Sequence, residues 1–490
     1  MTFFCKWGRS TGKKTLIKNL PDLNKARVRN AGFNIEYDNI VPSSFLVEKL
    51  KGKNYFIRTY GCQANVRDEE TMSGMLDLVG MNKVDSEENA DVIIINTCAV
   101  RENAEDKVFG EIGNLKALKA KRNPLIMVCG CMVLQTHIVE KLLNIYKQVD
   151  VIFGTHNINA LLDLIEEALR KNVHLVDVPS SSGNVHEIKE ARRLDSYKAF
   201  INIMYGCNKF CTYCIVPYTR GMERSRKKED IIQEAKCLIE QGYKEITLLG
   251  QNVNSYGKDL YDDYTFANLL SDVAKLGVPR LRFTTSHPYD FTDEMIEIIA
   301  KHDNIMKFIH LPVQSGNDKI LHSMNRRYDR KKYLDLVKKM KERIPNLALS
   351  TDIIVGFPNE SYEEFKDTVT LCQEVEYDSA FTFIYSPRNG TPAAKIKDNV
   401  EYKEKSKRFI ELTKTLEVII EEKSKKMVGQ VFDVLVDTVS KKDKTMLSGY
   451  NENNKLINFR GDESLIGKII KVKIVESHTY SLIGEIVEND

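Results

Sequence analysis

The sequence contains no long hydrophobic run. Of its 490 residues, 42% are hydrophobic, yet no window approaches the roughly 18 consecutive apolar residues that a membrane-spanning helix needs. Runs such as Val92–Ile95 have the length of a β-strand. We therefore expect a protein that does not cross a membrane.

An excess of charge of one sign is also lacking. The chain has 72 Lys and Arg against 69 Asp and Glu, a net charge of +3. Nucleic-acid binding is thus not indicated by the overall charge, and any such site must be a local surface. A length of 490 residues exceeds one compact core, so two to four domains are expected.

Cysteines are too sparse for a disulfide scaffold. There are ten in 490 residues, and no secretory signal precedes them. Several occur in tight or patterned settings, which favours metal ligands. Cys237 and Cys372 lie on predicted helices and are expected in the core, whereas Cys5 permits no interpretation.

Residues 1–52 lack sustained periodicity and are basic up to Arg29, with very few acidic residues there. We expect a flexible extension. An organellar presequence is the alternative.

Apolar strands alternate with helices over residues 53–171. Each of four predicted strands is followed by a turn and then by polar or helical sequence: Tyr55–Tyr60, Asp91–Asn96, Leu125–Val128 and Val149–Phe153. This alternation predicts a Rossmann-like parallel α/β domain built from right-handed βαβ units.

A polar linker at 179–192 separates this domain from a second α/β series over 193–425. Its six predicted strands, in about 200 residues, indicate a partial TIM-like barrel of (β/α) units: Ala199–Met204, Glu245–Leu249, Arg280–Thr284, Phe308–Leu311, Leu347–Val355 and Ser379–Tyr385. Residues 426–490 change to short alternating strands with turn residues between them, which predicts a small β-barrel.

Cys207, Cys211 and Cys214 form the strongest motif. Three thiolates at C-x3-C-x2-C spacing can bind three corners of a cubic iron–sulfur cluster from one loop. Zinc sites usually need paired C-x2-C elements and a fourth ligand, and none is evident nearby. The loop follows the first barrel strand, where active sites of such folds lie.

Cys62, Cys98 and Cys131 stand at the carboxyl ends of three predicted parallel strands. Such ends share one edge of a sheet, so these thiolates can meet and hold a second cluster. The alternative is that they are buried cysteines packed at strand ends. Cys129 and Cys131 have the same strand parity, and either can point inward.

The motifs resemble those of one family, the radical S-adenosylmethionine (SAM) methylthiotransferases. Cys207–Gly221 is similar to the radical SAM loop, and the tail from Gly429-Gln430 is similar to the RNA-binding TRAM domain. Three further segments resemble the family's N-terminal cysteine motifs: Thr59–Asn65, Asn96–Glu102 and Gly130-Cys131. The resemblance covers about residues 54–490.

Within the family, Arg101–Gly110 and Gly250–Gly257 most resemble the subgroup acting on N6-isopentenyladenosine in tRNA. Sister enzymes that modify threonylcarbamoyl-adenosine in tRNA or a ribosomal-protein aspartate are the alternatives. Ala64 and Cys129 depart from the family pattern. Neither removes a ligand, and the family pattern assigns the third N-terminal ligand to Cys131.

The resemblance implies two [4Fe–4S] clusters and SAM as cofactors. The cluster on Cys207, Cys211 and Cys214 would bind SAM, whose reductive cleavage gives a 5′-deoxyadenosyl radical that removes hydrogen from C2 of the adenosine. The other cluster would supply sulfur, and a second SAM would methylate it. The resemblance also implies two partners, a tRNA and a reductant such as flavodoxin or ferredoxin. It further implies that the protein is a monomer in the cytoplasm.

Other candidate site residues are assigned from position. Tyr213, Gln251, Asn252 and Asp352 are candidate SAM contacts, with a strand-end turn or a helix cap as the alternative. His287 and His310 are candidates to line the pocket, or else structural. A basic segment after the radical loop is predicted to contact RNA phosphates, with a solvated helix start as the alternative: Arg220, Arg224, Arg226, Lys227 and Lys228. Candidates in the tail are Arg460, Lys441, Lys442 and Lys444.

Overall fold

The structure is a computed structural model that describes residues 3–4, 13–26, 35–38, 40–99, 102–180, 185–188 and 192–487; Cys5 lies outside them. The chain divides into two compact units. The first comprises residues 1–194, 205–210 and 214–225, and the second 195–204, 211–213 and 226–490. None of the described helices has the length and apolar character to cross a bilayer.

The first unit is a helix-covered sheet. Its strands are β1 (Phe3–Phe4), β2 (Thr15–Asn19), β3 (Ile35–Asp38), β4 (Asn54–Thr59), β5 (Asn82–Lys83), β6 (Val92–Thr97), β7 (Leu125–Gly130), β8 (Val151–Phe153), β9 (His174–Asp177) and β10 (Val185–Ile188). Its helices are α1 (Leu23–Ala26), α2 (Ser44–Leu50), α3 (Gln63–Leu78), α4 (Glu102–Arg122), α5 (Thr136–Ile145), α6 (Leu161–Lys171) and α7 (Val216–Thr219).

Eight of these strands form one sheet in the order β1-β2-β9-β8-β7-β6-β4-β5, and β3 pairs separately with β10. Neighbours in the sheet are parallel except β1 and β2. Along β6, Val92 and Ile94 pack in one apolar core while Ile93 and Ile95 pack in the other. The four successive apolar residues of β6 are therefore buried on both faces of the sheet, as predicted.

Part of the segment predicted as a flexible extension belongs to this unit. Thr15–Asn19 pairs in parallel with β9, and the short helix Ser44–Leu50 buries Leu46 and Leu50 in the core. The prediction missed both elements because five strand residues and seven helix residues are too few to show a period.

The second unit contains the six predicted barrel strands. They are β11 (Lys198–Asn202), β14 (Glu245–Leu249), β15 (Arg280–Phe283), β16 (Phe308–His310), β17 (Ala348–Val355) and β18 (Ser379–Ile384); the short strands β12 (Met204–Tyr205) and β13 (Arg224–Ser225) flank the cysteine loop. The helices are α8 (Lys228–Glu240), α9 (Phe266–Ala274), α10 (Asp293–Lys301), α11 (Asp318–Ser323), α12 (Arg330–Arg343), α13 (Tyr362–Val375) and α14 (Tyr402–Lys425).

These six strands run parallel as two triplets, β11-β14-β15 and β16-β17-β18. A parallel bridge between Leu281 and Ile305 continues the order from one triplet to the next. The predicted partial barrel is confirmed, and its loops at the carboxyl ends of the strands are available for a site.

A closed five-stranded barrel completes the second unit. It consists of β19 (Val431–Val439), β20 (Met446–Tyr450), β21 (Leu456–Arg460), β22 (Ile469–Ser477) and β23 (Ser481–Ile486) in the order β19-β20-β21-β23-β22. Arg280, the first residue of β15, donates to Tyr450 O at 2.8 Å and to Asn451 O at 2.6 Å. Asn453 donates to Asn346 O, just before β17, at 2.8 Å. The small barrel is thus attached to the amino ends of the barrel strands.

Candidate metal centres and cofactor site

Cys62, Cys98 and Cys131 all lie at the carboxyl edge of the first sheet. Cys62 precedes α3, Cys98 follows β6, and Cys131 follows β7. Burial raises the pKa of the Cys131 thiol to about 12; the Arg220 guanidinium opposes this rise, and the Cys98 and Cys62 thiols add to it. All three thiols are therefore near enough to interact electrostatically.

Gly61 allows the close approach of Cys98. A Cβ at Gly61 would lie 2.6 Å from Cys98 Cβ and 3.0 Å from its Sγ, and the Gly61 φ of +124° disfavours any side chain. At Gly130 a Cβ would lie 2.2 Å from Thr97 O. At both positions, each directly before a cysteine of this set, a side chain is disfavoured by the positive φ and by the lack of space.

Cys129 does not join this set. Its side chain is fully buried, with Sγ 3.9 Å from Met72 Sδ and 3.8 Å from Asn96 Oδ1. Burial holds the pKa of its thiol well above the usual range. Cys129 is a core residue of β7, and it is Cys131 that lies beside Cys62 and Cys98.

A polar network surrounds the three thiols. The Cys62 thiol donates to Asn65 Oδ1 at 3.5 Å, and Asn65 Nδ2 donates to Thr97 O at 2.9 Å. Arg220 Nη2 donates to the same Asn65 oxygen at 3.2 Å and to Asp68 Oδ2 at 2.7 Å. A buried cation is thereby held next to thiols that must become thiolates to bind metal.

The donor set consists of thiols, which are the ligands that iron–sulfur clusters use. Among the described residues, no three His, Cys, Asp or Glu side chains are grouped tightly enough to hold one metal ion. In a cube each thiolate binds a different iron, so the ligands stand farther apart. Three thiols beside a guanidinium suit that arrangement.

The radical loop begins at a glycine whose conformation other residues rarely adopt and whose surroundings leave no room for a side chain. Gly206 has φ +72°, and a Cβ there would lie 1.9 Å from Met222 O. Cys207 N donates to Gly221 O at 3.1 Å, and Phe210 has a left-handed φ of 50°. These features curl the backbone around the cysteines.

Cys211 is buried in the second unit. Thr212 N donates to Met324 O at 3.0 Å, and its hydroxyl donates to Ser323 O at 2.8 Å. Arg326 Nη1 donates to Cys211 Sγ at 3.5 Å. Tyr213 packs near Met324 in an apolar cluster, so this part of the loop is anchored to the end of α11.

The structure places the other SAM candidates in different surroundings. Asn252 is buried and donates to Ser255 Oγ at 2.6 Å and to Asp290 Oδ2 at 2.8 Å; its Oδ1 has no hydrogen-bond partner in the described part of the chain. Gln251 is half-buried. Asp352 is half-buried on β17.

His310 lies next to Asp352 on the wall of the partial barrel. Its Nε2 is 3.4 Å from Asp352 Oδ2, its Nδ1 is 2.8 Å from Ser350 Oγ, and its ring lies 6.0 Å from that of the half-exposed Phe381. His287, by contrast, is buried and accepts a hydrogen bond from Tyr289 N. A role in lining a pocket thus fits His310 better than His287.

Most of the basic segment predicted to contact phosphates is buried. Arg224 and Arg226 are 4% and 3% exposed, and the Arg220 side chain is 10% exposed. Arg226 Nη1 donates to Asn202 O and Glu234 Oε2, each at 2.7 Å. Lys227, in the same segment, is exposed. The three arginines instead form hydrogen bonds with protein groups, because their side chains point into the protein.

Arg326, Asn65 and Asp68 are contacts that sequence reasoning missed. Arg326 lies 115 residues from Cys211, and nothing in their spacing connects them. Asn65 and Asp68 follow Cys62 by three and six residues, so the helical repeat after a ligand was the available signal for those two.

Three family models match successive parts of the chain: Uncharacterized protein family UPF0004 at 54–154, Radical SAM superfamily at 201–372 and TRAM domain at 425–487. Among solved structures, a radical S-adenosylmethionine methyltransferase from Kitasatospora setae aligns over 70% of this chain and 74% of its own, with TM-score 0.52 and 12% identity. That likeness concerns the fold alone. Fold and cysteine loop together define a radical SAM enzyme.

Curated relatives of this chain are named tRNA-2-methylthio-N(6)-dimethylallyladenosine synthase. The protein of Halalkalibacterium halodurans is 50% identical over 97% of this chain and 89% of its own. That of Staphylococcus haemolyticus is 52% identical over 96% and 91%, and that of Bacillus licheniformis 53% over 89% and 86%. The chain belongs to this family of methylthiotransferases. The predicted family, enzyme class and cofactor class are confirmed.

Proposed function

We propose that this chain transfers a methylthio group to C2 of N6-isopentenyladenosine at position 37 of tRNA, next to the anticodon. The relatives whose names carry this activity match nearly the whole chain at about half identity, and the TRAM match at 425–487 supports an RNA substrate. One structural observation supports the proposal: the three N-terminal cysteines lie at one edge of the first sheet, where the buried guanidinium of Arg220 acts on the Cys131 thiol. A radical SAM enzyme needing one cluster would not require that second set.

Each cysteine set is assigned one [4Fe–4S] cluster. Cys207, Cys211 and Cys214 would hold the cluster that binds SAM, and Cys62, Cys98 and Cys131 the other. When bound, these groups supply one-electron cleavage of SAM and the sulfur for transfer. With three cysteines in each set, one iron of each cube would receive no cysteine ligand from that set.

The polar residues at the two sites have distinct tasks in this proposal. Arg220, held by Asp68, favours the thiolate form of Cys131, since a neighbouring cation stabilises the anion. The unpartnered Oδ1 of Asn252 is available to accept from the SAM ammonium. Tyr213, Gln251 and Asp352 remain proposed SAM contacts.

RNA contacts are assigned to exposed lysines. Lys227 is exposed after the radical loop, and Lys441, Lys442 and Lys444 are exposed between β19 and β20. Phosphate contacts need accessible cations, which excludes the inward-folded arginines from that role. The proposal further includes a monomeric enzyme acting in the cytoplasm, reduced by a flavodoxin or a ferredoxin.

Mass spectrometry of tRNA nucleosides tests the function. In cells lacking this gene, the 2-methylthio group should disappear while N6-isopentenyladenosine is retained. Wild-type and Cys129→Ala genes should restore it, whereas Cys131→Ala should not. An unchanged isopentenyladenosine profile would contradict the proposal and direct attention to threonylcarbamoyl-adenosine or a ribosomal-protein aspartate.

A further inference from the structure

A buried arginine touches the central cysteine of the radical loop. Arg326 Nη1 donates to Cys211 Sγ at 3.5 Å, Nη2 donates to Pro312 O at 2.7 Å, and Nε donates to Tyr328 Oη at 2.8 Å. Arg326 is 7% exposed and Cys211 8%. The contact therefore excludes bulk water.

No carboxylate pairs with this guanidinium in the described part of the chain; its hydrogen-bond acceptors are a carbonyl, a phenol and a sulfur. A buried cation with no anion nearby is costly, because neither water nor a counter-ion compensates its charge. The Cys211 sulfur is the acceptor that becomes anionic when it binds iron. Arg326 is thus placed as the counter-ion of a ligated Cys211.

The guanidinium is held in this position from two sides. The Tyr328 hydroxyl donates to Val313 O at 2.9 Å while accepting from Arg326 Nε, and the Arg326 Cζ atom lies 5.1 Å from the Tyr328 ring centroid. Pro312 and Val313 follow β16, at the carboxyl end of the barrel strands. The direction of the N–H bond toward Cys211 is therefore set by the barrel itself.

We propose that Arg326 raises the reduction potential of the cluster held by Cys207, Cys211 and Cys214, and so sets how readily that cluster accepts an electron. The inference rests on the assignment of Cys211 as a cluster ligand under the proposed function. Arg326 acts through Cys211 and is a positioning residue.

The sign follows from charge. Reduction adds one electron to the cluster, so its negative charge grows. A fixed cation and an N–H donor at a ligand sulfur stabilise the reduced form more than the oxidised form, which moves the potential upward. Burial strengthens the effect because little solvent screens the charge.

The test measures the midpoint potential of this cluster in the full-length chain. The second cluster is removed by replacing Cys62, Cys98 and Cys131 with Ala, and the remaining one is titrated anaerobically with dithionite, followed by electron paramagnetic resonance. Arg326→Gln should lower the ratio of reduced to oxidised cluster about tenfold at a fixed potential, which corresponds to a shift of the midpoint potential by about 59 mV to more negative values. Arg326→Lys keeps the charge without the planar fork and should shift it less.

Arg330→Gln is the matched control. It removes the same charge four residues away, where the guanidinium contacts Glu374 and Asp367 O, and it should leave the potential unchanged. Iron content separates the two levels of inference: Cys211→Ala retaining iron on this background would contradict the ligand assignment. An unchanged midpoint potential in every Arg326 variant that binds about four irons would overturn the role of Arg326.

Discussion

Arg220 and Asp68 form a bidentate ion pair, with 2.7 Å between Nη2 and Oδ2 and 3.2 Å between Nη1 and Oδ1. Asp68 lies on α3, the helix that starts after Cys62, and Arg220 follows Cys214 by six residues. The pair therefore connects the segment that follows Cys214 with helix α3, which follows Cys62.

Breaking this pair should be costly. Arg220→Met leaves the Asp68 carboxylate buried without its partner, and we expect the free energy of unfolding in urea to fall by about 3–5 kcal/mol. Lys331→Met, which breaks an exposed pair with Asp335, should change the free energy of unfolding far less, because water screens that pair. Equal losses for the two variants would show that the Arg220 pair is not structural.

Iron content should distinguish Cys131 from Cys129. Two cubes hold about eight irons per chain, and Cys131→Ala should leave about four after anaerobic reconstitution, because its cube loses a ligand. Cys129→Ala removes a core thiol that touches Met72 and should keep about eight, with some loss of stability. Retention of eight irons by Cys131→Ala would refute the assigned ligand set.

Gly61→Ala should remove one cluster without replacing any ligand. The added Cβ would lie 2.6 Å from Cys98 Cβ, so Cys98 must move away from its neighbours. Iron should fall to about four per chain. Gly52→Ala is the matched control, since it also has positive φ, at +78°, but meets nothing within 4 Å; it should retain all its iron.

His156 should make the fold sensitive to mild acid. Burial, with the charges of Arg224 and Arg220, lowers its pKa to about 3 from the ordinary value of 6.5. At a pH between these two values the unfolded chain binds a proton at His156 that the folded chain does not bind. The free energy of unfolding therefore falls as the pH drops below about 6.5, by roughly 1 kcal/mol over the first pH unit.

Urea unfolding of the metal-free chain at about pH 7 and about pH 5.5 measures this dependence. His156→Gln should flatten it, whereas replacement of the half-exposed His478 by Gln should not. An identical pH dependence in wild type and His156→Gln would contradict burial of a neutral imidazole.

The lysines of the small barrel should supply part of the tRNA affinity. Replacing Lys441, Lys442 and Lys444 with Ala should weaken binding and reduce the slope of log affinity against log salt by up to about 2, because fewer counterions are released. Three exposed lysines on α12 serve as a charge-matched control: Lys331, Lys332 and Lys338. Equal slopes for the two triple variants would exclude the small barrel as the source of these contacts.

The barrel strands and the common sheet edge of the N-terminal cysteines were predictable because both follow from local patterns in the sequence. The predicted Glu245–Leu249 has the same bounds as β14, since an apolar run between turns is legible in five residues. Cys62, Cys98 and Cys131 were brought together by a rule of parallel sheets, that the carboxyl ends of strands share an edge.

Side-chain partners distant in sequence were not predictable in this way. Arg220 looked like a surface cation in a basic run, and its partner Asp68 lies 152 residues earlier. β2 pairs with a strand about 160 residues later, and its five residues are too few to show a hydrophobic period. In both cases the interaction that fixes the residue's place is made with a distant part of the folded chain. The local charge and periodicity of the sequence therefore do not predict it.

The small barrel and Cys211 lie at opposite ends of the parallel strands of the second unit. The barrel holds the amino ends of the strands through Arg280 and Asn453, while Cys211 and Arg326 lie at the carboxyl ends. An eight-residue strand such as β17 spans roughly 26 Å at about 3.3 Å per residue. An RNA that contacted both the small barrel and the region of Cys211 would therefore have to span at least the length of these strands.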